Sequence, residues 1–158
     1  MTVPDFLLQL PDPLVVFVLA ATPIGEIKFS IPVAVGILKM PGWSAYFWSV
    51  IGNAVPILAV YGVGDVWLRL IGKYPKSMLY RLTHRVLQQT CRLLNDRAAK
   101  YGAFALPLLV GIGAWTASLA AFVFCIPLKR AFPLIMLGVI VVGLLTLAAT
   151  QGAAGILT

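Results

Sequence analysis

The chain of 158 residues is strongly apolar and basic: 61% of its residues are hydrophobic, 11% are charged, and its formal net charge is +7. A mean hydropathy of +0.98 excludes an ordinary soluble domain of this size and predicts an all-α integral membrane protein. The sequence has one histidine and five acidic residues, and it shows no metal-ligand cluster, no nucleophile paired with a base and no phosphate loop. We therefore expect no metal, no cofactor and no enzyme activity. An intramembrane transferase is the one enzyme class left open.

The first apolar stretch, residues 13–38, is interrupted at its centre. The interruption consists of helix-breaking and charged residues: Pro23, Gly25, Glu26, Lys28 and Pro32. A charge at the middle of a spanning helix is disfavoured by about 2.5 to 3.5 kcal/mol, so it normally faces protein or a water-filled cavity. We therefore expect a broken, re-entrant hairpin in which Glu26 and Lys28 bind a proton or a substrate. A permanent structural ion pair is the alternative.

The second apolar stretch, residues 43–71, is long enough to cross a hydrocarbon core of about 30 Å at 1.5 Å per residue. Asn53 interrupts it near the middle, with Ser49 one turn before and Pro56 soon after. We predict that the Asn53 amide lines the same cavity as Glu26, while Pro56 breaks the helix and releases a backbone carbonyl. Simple packing between helices is the alternative for Asn53.

The linker of residues 72–101 holds most of the charge. Arg81, Arg85 and Arg92 recur at helical spacing, and leucines and a valine occupy another face, which predicts an amphipathic helix on the inner membrane surface. Its basic residues are candidates for contact with anionic lipid headgroups; an anchor that only sets topology is the alternative. Nucleic acid is not an expected partner, because the charge is confined to the linker and is not interleaved with aromatic residues.

The third apolar stretch, residues 102–126, repeats the design of the first, with Pro107 and two glycines at its centre. It predicts a second re-entrant hairpin, in which a following half-helix offers free N–H groups to an anion. The candidate binding residues of this hairpin are Gly111, Gly113, Thr116 and Ser118. Close packing of helices is the alternative use of these small residues. The fourth stretch, residues 131–150, is again long enough to span.

Basic residues near the membrane ends predict the orientation of the chain. If residues 102–126 enter and return, Lys129 and Arg130 lie on the same side as the basic linker, which the positive-inside rule assigns to the cytoplasm. The N-terminus is then outside, and the two hairpins enter from opposite faces. Cys91 and Cys125 fall near the cytoplasmic side outside any metal or haem spacing, and free thiols are expected.

These elements predict one membrane domain over residues 1–158. A first half, residues 1–71, and a second half, residues 102–150, each contain a broken hairpin followed by a transmembrane helix. Interrupted hydrophobic segments in corresponding positions of two halves are typical of transporters with inverted repeats. A pseudo-inverted repeat with a cytoplasmic amphipathic linker is therefore the expected architecture.

Several motifs resemble the small multidrug export family of prokaryotic membrane proteins over about residues 20 to 145. They are Pro23-x-x-Glu26-x-Lys28-x-x-Ile31-Pro32, Gly52-Asn53-x-x-Pro56, Lys100-Tyr101-Gly102 and Gly111-x-Gly113-Ala114-Trp115. The family looks distantly related to the DedA or VTT-domain superfamily, which is associated with paired re-entrant hairpins and proton-dependent movement of lipid phosphates. Lysine at position 28 stands where the family commonly has arginine.

The combined expectation is a small transporter in the prokaryotic cell membrane, coupled to protons and assembled as a homodimer. Glu26 would be the proton-responsive carboxylate and Lys28 its partner or an anion contact. The expected substrate is amphiphilic, either a lipid phosphate moved as by a flippase or a small drug-like compound, and membrane lipids are expected partners. The alternative function is a membrane-organising or scaffold protein that transports nothing.

Overall fold

The computed structural model describes residues 10–23, 25–74, 78–93 and 106–156. Within these ranges every regular element is helical and no strand occurs, which confirms the all-α class. The helices are α1 (Asp12–Ala21), α2 (Glu26–Gly36), α3 (Gly42–Gly52), α4 (Ala54–Gly72), α5 (Met78–Leu93), α6 (Ala114–Val123) and α7 (Leu128–Ile156). Residues 106–109 add one further helical turn.

Two helical runs are long and apolar enough to cross a membrane. Helices α3 and α4 together form the run Gly42–Gly72 of 31 residues, and α7 contributes the run Leu128–Gly152 of 25 residues. The two spans predicted from hydropathy, residues 43–71 and 131–150, are confirmed as candidates by length and composition. Entry of the broken segments from opposite membrane faces and the inverted repeat stay predictions.

The first apolar stretch forms two short helices, α1 and α2, around a break. This first break comprises residues 22–25, of which 24 lies outside the described residues. The Thr22 hydroxyl donates to the Leu19 carbonyl at 2.8 Å and accepts from the Gly25 N–H at 3.0 Å. One side chain thereby supplies partners to backbone groups on both sides of the break. A Cβ on Gly25 would lie 2.0 Å from the Leu19 carbonyl oxygen, so only glycine fits there.

Helix α2 continues through a proline that the sequence suggested as a break. Pro32 lies inside α2, which ends only at Gly36. Near the start of α2 the Ser30 N–H bonds the Gly25 carbonyl at 3.1 Å, a wider i to i−5 turn of the π type. Proline at position 32 lacks an N–H, and such interruptions are tolerated in membrane helices where neighbouring groups satisfy the backbone. Pro56 likewise lies inside α4, in its first turn, where an N–H has no intrahelical partner.

Helices α1, α2 and α3 pack against one another. They belong to a compact unit formed by Met1–Pro56 and Met136–Thr158, which we call unit 1. Val16, Ala34, Met40 and Ala45 share one buried cluster, so the middle of α1 lies beside the end of α2. A Cβ on Gly52 would lie 2.5 Å from the Phe17 carbonyl oxygen, so α3 approaches the backbone of α1 closely.

Within unit 1, helix α3 also runs antiparallel to the C-terminal part of α7. Gly42 faces Gln151, and Gly143 faces the Tyr46 ring four residues further along α3. The Tyr46 hydroxyl donates to the Ile140 carbonyl at 3.3 Å. Small residues thus allow close helix contact, as is common between membrane helices.

The second compact unit, Ile57–Ile135, is held by aromatic contacts, and we call it unit 2. The Phe122 ring covers Gly64 and stands edge-on to Tyr61 with ring centroids 5.7 Å apart. The Tyr61 hydroxyl donates to the Ile126 carbonyl at 2.7 Å. Cys125 is disulfide-bonded, so the expectation of a free thiol at this position is wrong. The separation of two cysteines in sequence does not determine their distance in the fold, so the motif spacing did not predict this bond.

Candidate functional site

A chain of buried polar groups in unit 1 links α2 to the end of α3. The Ser30 hydroxyl donates to the Ser49 hydroxyl at 2.8 Å, and the Asn53 side-chain amide donates to the Ser49 carbonyl at 3.0 Å. Ser30 and Ser49 are fully buried, and Asn53 is 1% exposed. We call Ser30, Ser49 and Asn53 the polar triad. It places hydrogen-bonding groups from two helices and from the α3–α4 junction together in an apolar interior.

Asn53 interrupts the long apolar run at a single residue. Helix α3 ends at Gly52 and α4 begins at Ala54. Both the backbone N–H and the side-chain amide of Asn53 bond the Ser49 carbonyl, at 3.1 Å and 3.0 Å. Asparagine competes well for backbone groups in this way, which explains why the helix is interrupted here rather than at a purely apolar residue.

Glu26 and Lys28 occupy the first turn of α2, directly after the first break. Both side chains are half-buried, and both have polar or electrostatic partners. Ile27 between them is 2% exposed, so the two charges flank a residue that packs inward. Glu26 is four residues before Ser30, and this spacing puts the two side chains on one face of α2. The predicted carboxylate and the polar triad are therefore adjacent along a single helix face.

The buried polar side-chain atoms of the described residues all have hydrogen-bond partners. An unsatisfied polar group in an apolar medium costs several kcal/mol, of the order of a lost hydrogen bond plus desolvation. The polar triad is thus a satisfied network, and any ligand that entered it would have to replace existing hydrogen bonds.

The candidate residues of the second half lie around a different kind of turn, residues 110–113, which we call the second break. Gly111 and Thr116 are exposed, whereas Gly113 and Ser118 are buried. The Ser118 hydroxyl donates to the Ala114 carbonyl of its own helix at 2.6 Å. The hydrogen bond of the Ser118 hydroxyl therefore lies entirely within α6. The exposed side chain of this turn, Ile112, is apolar and 70% exposed.

The polar triad includes a residue that the sequence motifs did not predict. Asn53 and its neighbour Ser49 were singled out from sequence, but Ser30 and Thr22 were not. The missing signal was available: Ser30 follows Glu26 by one helical turn, as Asn53 follows Ser49. Polar residues one turn apart inside apolar stretches predict a shared face, and two such faces can meet. Within the described residues no group of three or more His, Cys, Asp or Glu side chains could hold a metal ion.

Comparison with known proteins identifies one family. The model of the family described as "Putative small multi-drug export protein" matches residues 26–145 of the chain. The match begins at Glu26 and includes the polar triad, the second break and most of α7. Comparison with curated proteins and with solved structures gave no match. The more distant likeness to the DedA superfamily stays a prediction.

Proposed function

The chain belongs to the small multi-drug export protein family, and we propose that it is a proton-coupled membrane transporter for an amphiphilic substrate. The family description names export, and the two candidate spans fit a membrane protein. Coupling to protons is assigned to Glu26, and contact with the substrate to Lys28 and the polar triad. Lipid phosphates and drug-like compounds are the two substrate classes that fit a site with one acid and one base.

The observation that carries this proposal is the position of Glu26 relative to the polar triad. A carboxylate one turn from a fully buried Ser30–Ser49 hydrogen bond is an expensive arrangement in an apolar protein. Ionisable residues within membrane segments are costly and are usually retained for function. A permanent ion pair would gain little net stability in such surroundings, which favours a working site over a structural one.

A change of charge at Glu26 has a physical route to the rest of the site. Protonation of the carboxyl would release Lys28 to bind an anionic group, and loss of the proton would let Glu26 bind a cationic one. The backbone N–H of Glu26 bonds the Thr22 carbonyl at 3.3 Å, which ties the start of α2 to the first break. Ser30, one turn further, ties the same helix face to α3. We infer that proton binding at Glu26 would affect both the first break, which precedes α2, and the contact of Ser30 with α3.

The short helices around the first break support re-entrant insertion. Helices α1 and α2 have 10 and 11 residues, which correspond to about 15 and 17 Å, or half the hydrocarbon core. Because Val16 and Ala34 share a buried cluster, the two helices lie side by side rather than end to end. We propose that they enter and leave on one face, with Glu26 at depth. An exposed apolar stripe on α3 that includes Trp43 and Phe47 is available to lipid or to a second copy in the proposed homodimer.

The proposed orientation places the basic linker and Lys129 in the prokaryotic cytoplasm, following the positive-inside rule. The disulfide at Cys125 argues in the other direction, because disulfides are typical of oxidising compartments. A single cysteine introduced at position 129 and labelled in intact cells with a membrane-impermeant reagent decides between them. We expect no labelling until the cells are permeabilised. Labelling from outside would contradict both the orientation and the second re-entrant hairpin.

Transport by purified protein in proteoliposomes tests the function. With an imposed pH gradient, we expect the wild type to move a fluorescent amphiphilic cation or a fluorescent anionic lipid faster than protein-free vesicles do. Glu26→Gln should lose the gradient-dependent part, because the amide cannot exchange a proton. Asp12→Asn is the matched control: it neutralises an exposed carboxylate at the start of α1 and should transport like the wild type.

The possible results of this assay test proton coupling through Glu26 and transport itself separately. If Glu26→Gln and the wild type respond equally to the gradient, proton coupling does not run through Glu26. If the wild type moves neither probe faster than empty vesicles, transport of these substrate classes is wrong. In that case the remaining hypothesis is a membrane-organising protein in which Glu26 and Lys28 are only structural.

A further inference from the structure

Helix α5 separates its polar and apolar side chains onto different faces. One open groove of about 450 Å³ follows its polar face and is lined by Tyr80, Arg81, His84, Arg85, Gln88 and Gln89. On another side, Leu82 is 59% exposed. Leu82 and His84 are two residues apart and therefore point to different sides of the helix. Exposed apolar and exposed cationic surfaces thus lie along the same 16-residue helix.

The place of α5 in the chain is at the end of a candidate membrane span. Helix α4 ends at Gly72 and α5 begins at Met78, so five residues separate the span from the helix start. The last turns of the span and the following residues expose Trp67, Arg69 and Tyr74. Aromatic and basic residues of this kind are enriched where a helix leaves the hydrocarbon for the headgroup region. Helix α5 therefore begins next to a membrane surface.

The two exposed arginines of α5 have no acidic neighbour on their own helix. Arg81 and Arg85 are both exposed and four residues apart, a spacing at which like charges on a helix repel each other. No acidic residue occurs between residues 78 and 93 to neutralise them. Guanidinium groups match the geometry of phosphate oxygens and can bind them with two hydrogen bonds. An anionic phosphate beside this pair would relieve the repulsion and occupy the groove.

We propose that α5 lies in the plane of the membrane surface and binds anionic lipid headgroups through Arg81 and Arg85, with Leu82 on the side that meets the lipid chains. An amphipathic helix with a cationic polar face and low overall hydrophobicity is typical of helices that lie in the membrane interface. The inference goes beyond the transport proposal, since these lipids are bound at the surface and are not carried. The proposal predicts that α5 is more ordered in membranes that contain more anionic lipid.

Hydrogen–deuterium exchange of the full-length protein tests this inference. Wild type is reconstituted in phosphatidylcholine vesicles with and without phosphatidylglycerol, and exchange is followed in the peptide covering residues 78–93. We expect slower exchange with phosphatidylglycerol and a loss of that difference at high salt. A basic residue near an anionic surface contributes about a fivefold change in binding, so Arg81→Gln/Arg85→Gln should weaken the lipid effect by about 25-fold.

Two control variants separate charge from fold. Arg81→Lys/Arg85→Lys keeps the surface attraction and should retain most of the lipid effect, whereas Lys39→Gln removes an exposed charge in unit 1 and should leave it unchanged. Equal exchange of wild-type α5 in the two lipids would overturn the proposal, and so would an equal lipid effect in the double glutamine variant.

If inorganic phosphate added to phosphatidylcholine vesicles slows exchange as well as phosphatidylglycerol does, the ligand is a soluble anion and the membrane proposal is wrong. Protection that follows protein density but not headgroup charge would assign this face to a second copy, also against the proposal.

Discussion

The two broken segments look alike in sequence but are built differently. At the first break, the Thr22 side chain bonds backbone groups on both sides, and Ser30 on the following helix reaches Ser49 of another helix. At the second break, the comparable hydroxyl of Ser118 bonds only the Ala114 carbonyl of its own helix. Helix α6, which follows the second break, makes an aromatic contact at its far end, where Phe122 packs on Tyr61.

This difference assigns different roles to the two segments. Hydrogen bonds between helices depend on direction, so the network beside the first break suits the proposed response to a change in charge at Glu26. Apolar ring packing has no such directional dependence, and it responds to volume rather than to charge. We infer that the first break carries the chemistry and the second supplies shape. A repeat in architecture thus does not imply a repeat in function.

The largest effect is expected from adding a methyl group at each break. Gly25→Ala places a Cβ 2.0 Å from the Leu19 carbonyl oxygen, whereas at Gly111 the nearest atom, the Leu108 carbonyl oxygen, would be 2.9 Å away. Overpacking costs about 1 to 3 kcal/mol and occasionally more, so we expect Gly25→Ala to exceed this range and Gly111→Ala to lie at its lower end. The measurement is unfolding in mixed detergent micelles, followed by circular dichroism.

Gly36→Ala is the control for this pair. It lies at the other end of α2, where an added Cβ meets no atom within 4 Å, and it should leave stability unchanged or slightly raised. Equal losses at Gly25 and Gly111 would show that the two breaks are equally constrained, and the comparison would fail.

An intermediate effect is expected from the buried serines. Hydrogen bonds between membrane helices contribute about 0.6 kcal/mol on average and up to about 1.7. A double-mutant cycle of Ser30→Ala and Ser49→Ala should give a coupling energy in this range, since their hydroxyls are 2.8 Å apart. Ser118→Ala should cost only a few tenths of a kcal/mol, because its bond lies within one helix. A coupling near zero between Ser30 and Ser49 would remove the polar triad as a distinguishing feature of unit 1.

An effect no larger than the upper end of the serine range is expected at the two tyrosines that bond backbone carbonyls. Tyr61 donates to Ile126 at 2.7 Å and is 8% exposed, whereas Tyr46 donates to Ile140 at 3.3 Å and is half-buried. Tyr61→Phe should therefore cost about 1 kcal/mol and Tyr46→Phe clearly less. The same unfolding assay ranks them. The reverse order would mean that unit 2 depends on its hydrogen bond less than its geometry indicates.

Element positions were largely predictable from the sequence, because they follow from apolar length and from glycine and proline. Both long spans and the break before Glu26 lie where hydropathy and Gly25 predict them. Pro32 was misleading as a helix end, since a membrane helix can continue through proline when the backbone is otherwise satisfied.

The partners of individual polar side chains were not predictable in the same way. Asn53 was identified as polar and mid-span, yet its actual acceptor is the backbone of its own preceding turn. Ser30 was overlooked because a small hydroxyl has no fixed meaning until a second helix is placed beside it. Contacts between helices depend on rotation and depth, which apolar periodicity constrains only loosely. The disulfide at Cys125 was missed for the same reason.

The close glycine contacts also define where the chain can accept mutations. An added side chain would meet other atoms at Gly25, Gly42, Gly52, Gly64 and Gly143, but would find open space at Gly36, Gly62, Gly72 and Gly152. Saturation mutagenesis should therefore show the least tolerance at Gly25 and Gly52, where the nearest atom is a backbone carbonyl oxygen, and free replacement where the space is open. Gly52, beside Asn53, is among the least tolerant positions, so the polar triad can be altered by exchanging its polar side chains but not by enlarging the helix contacts around it.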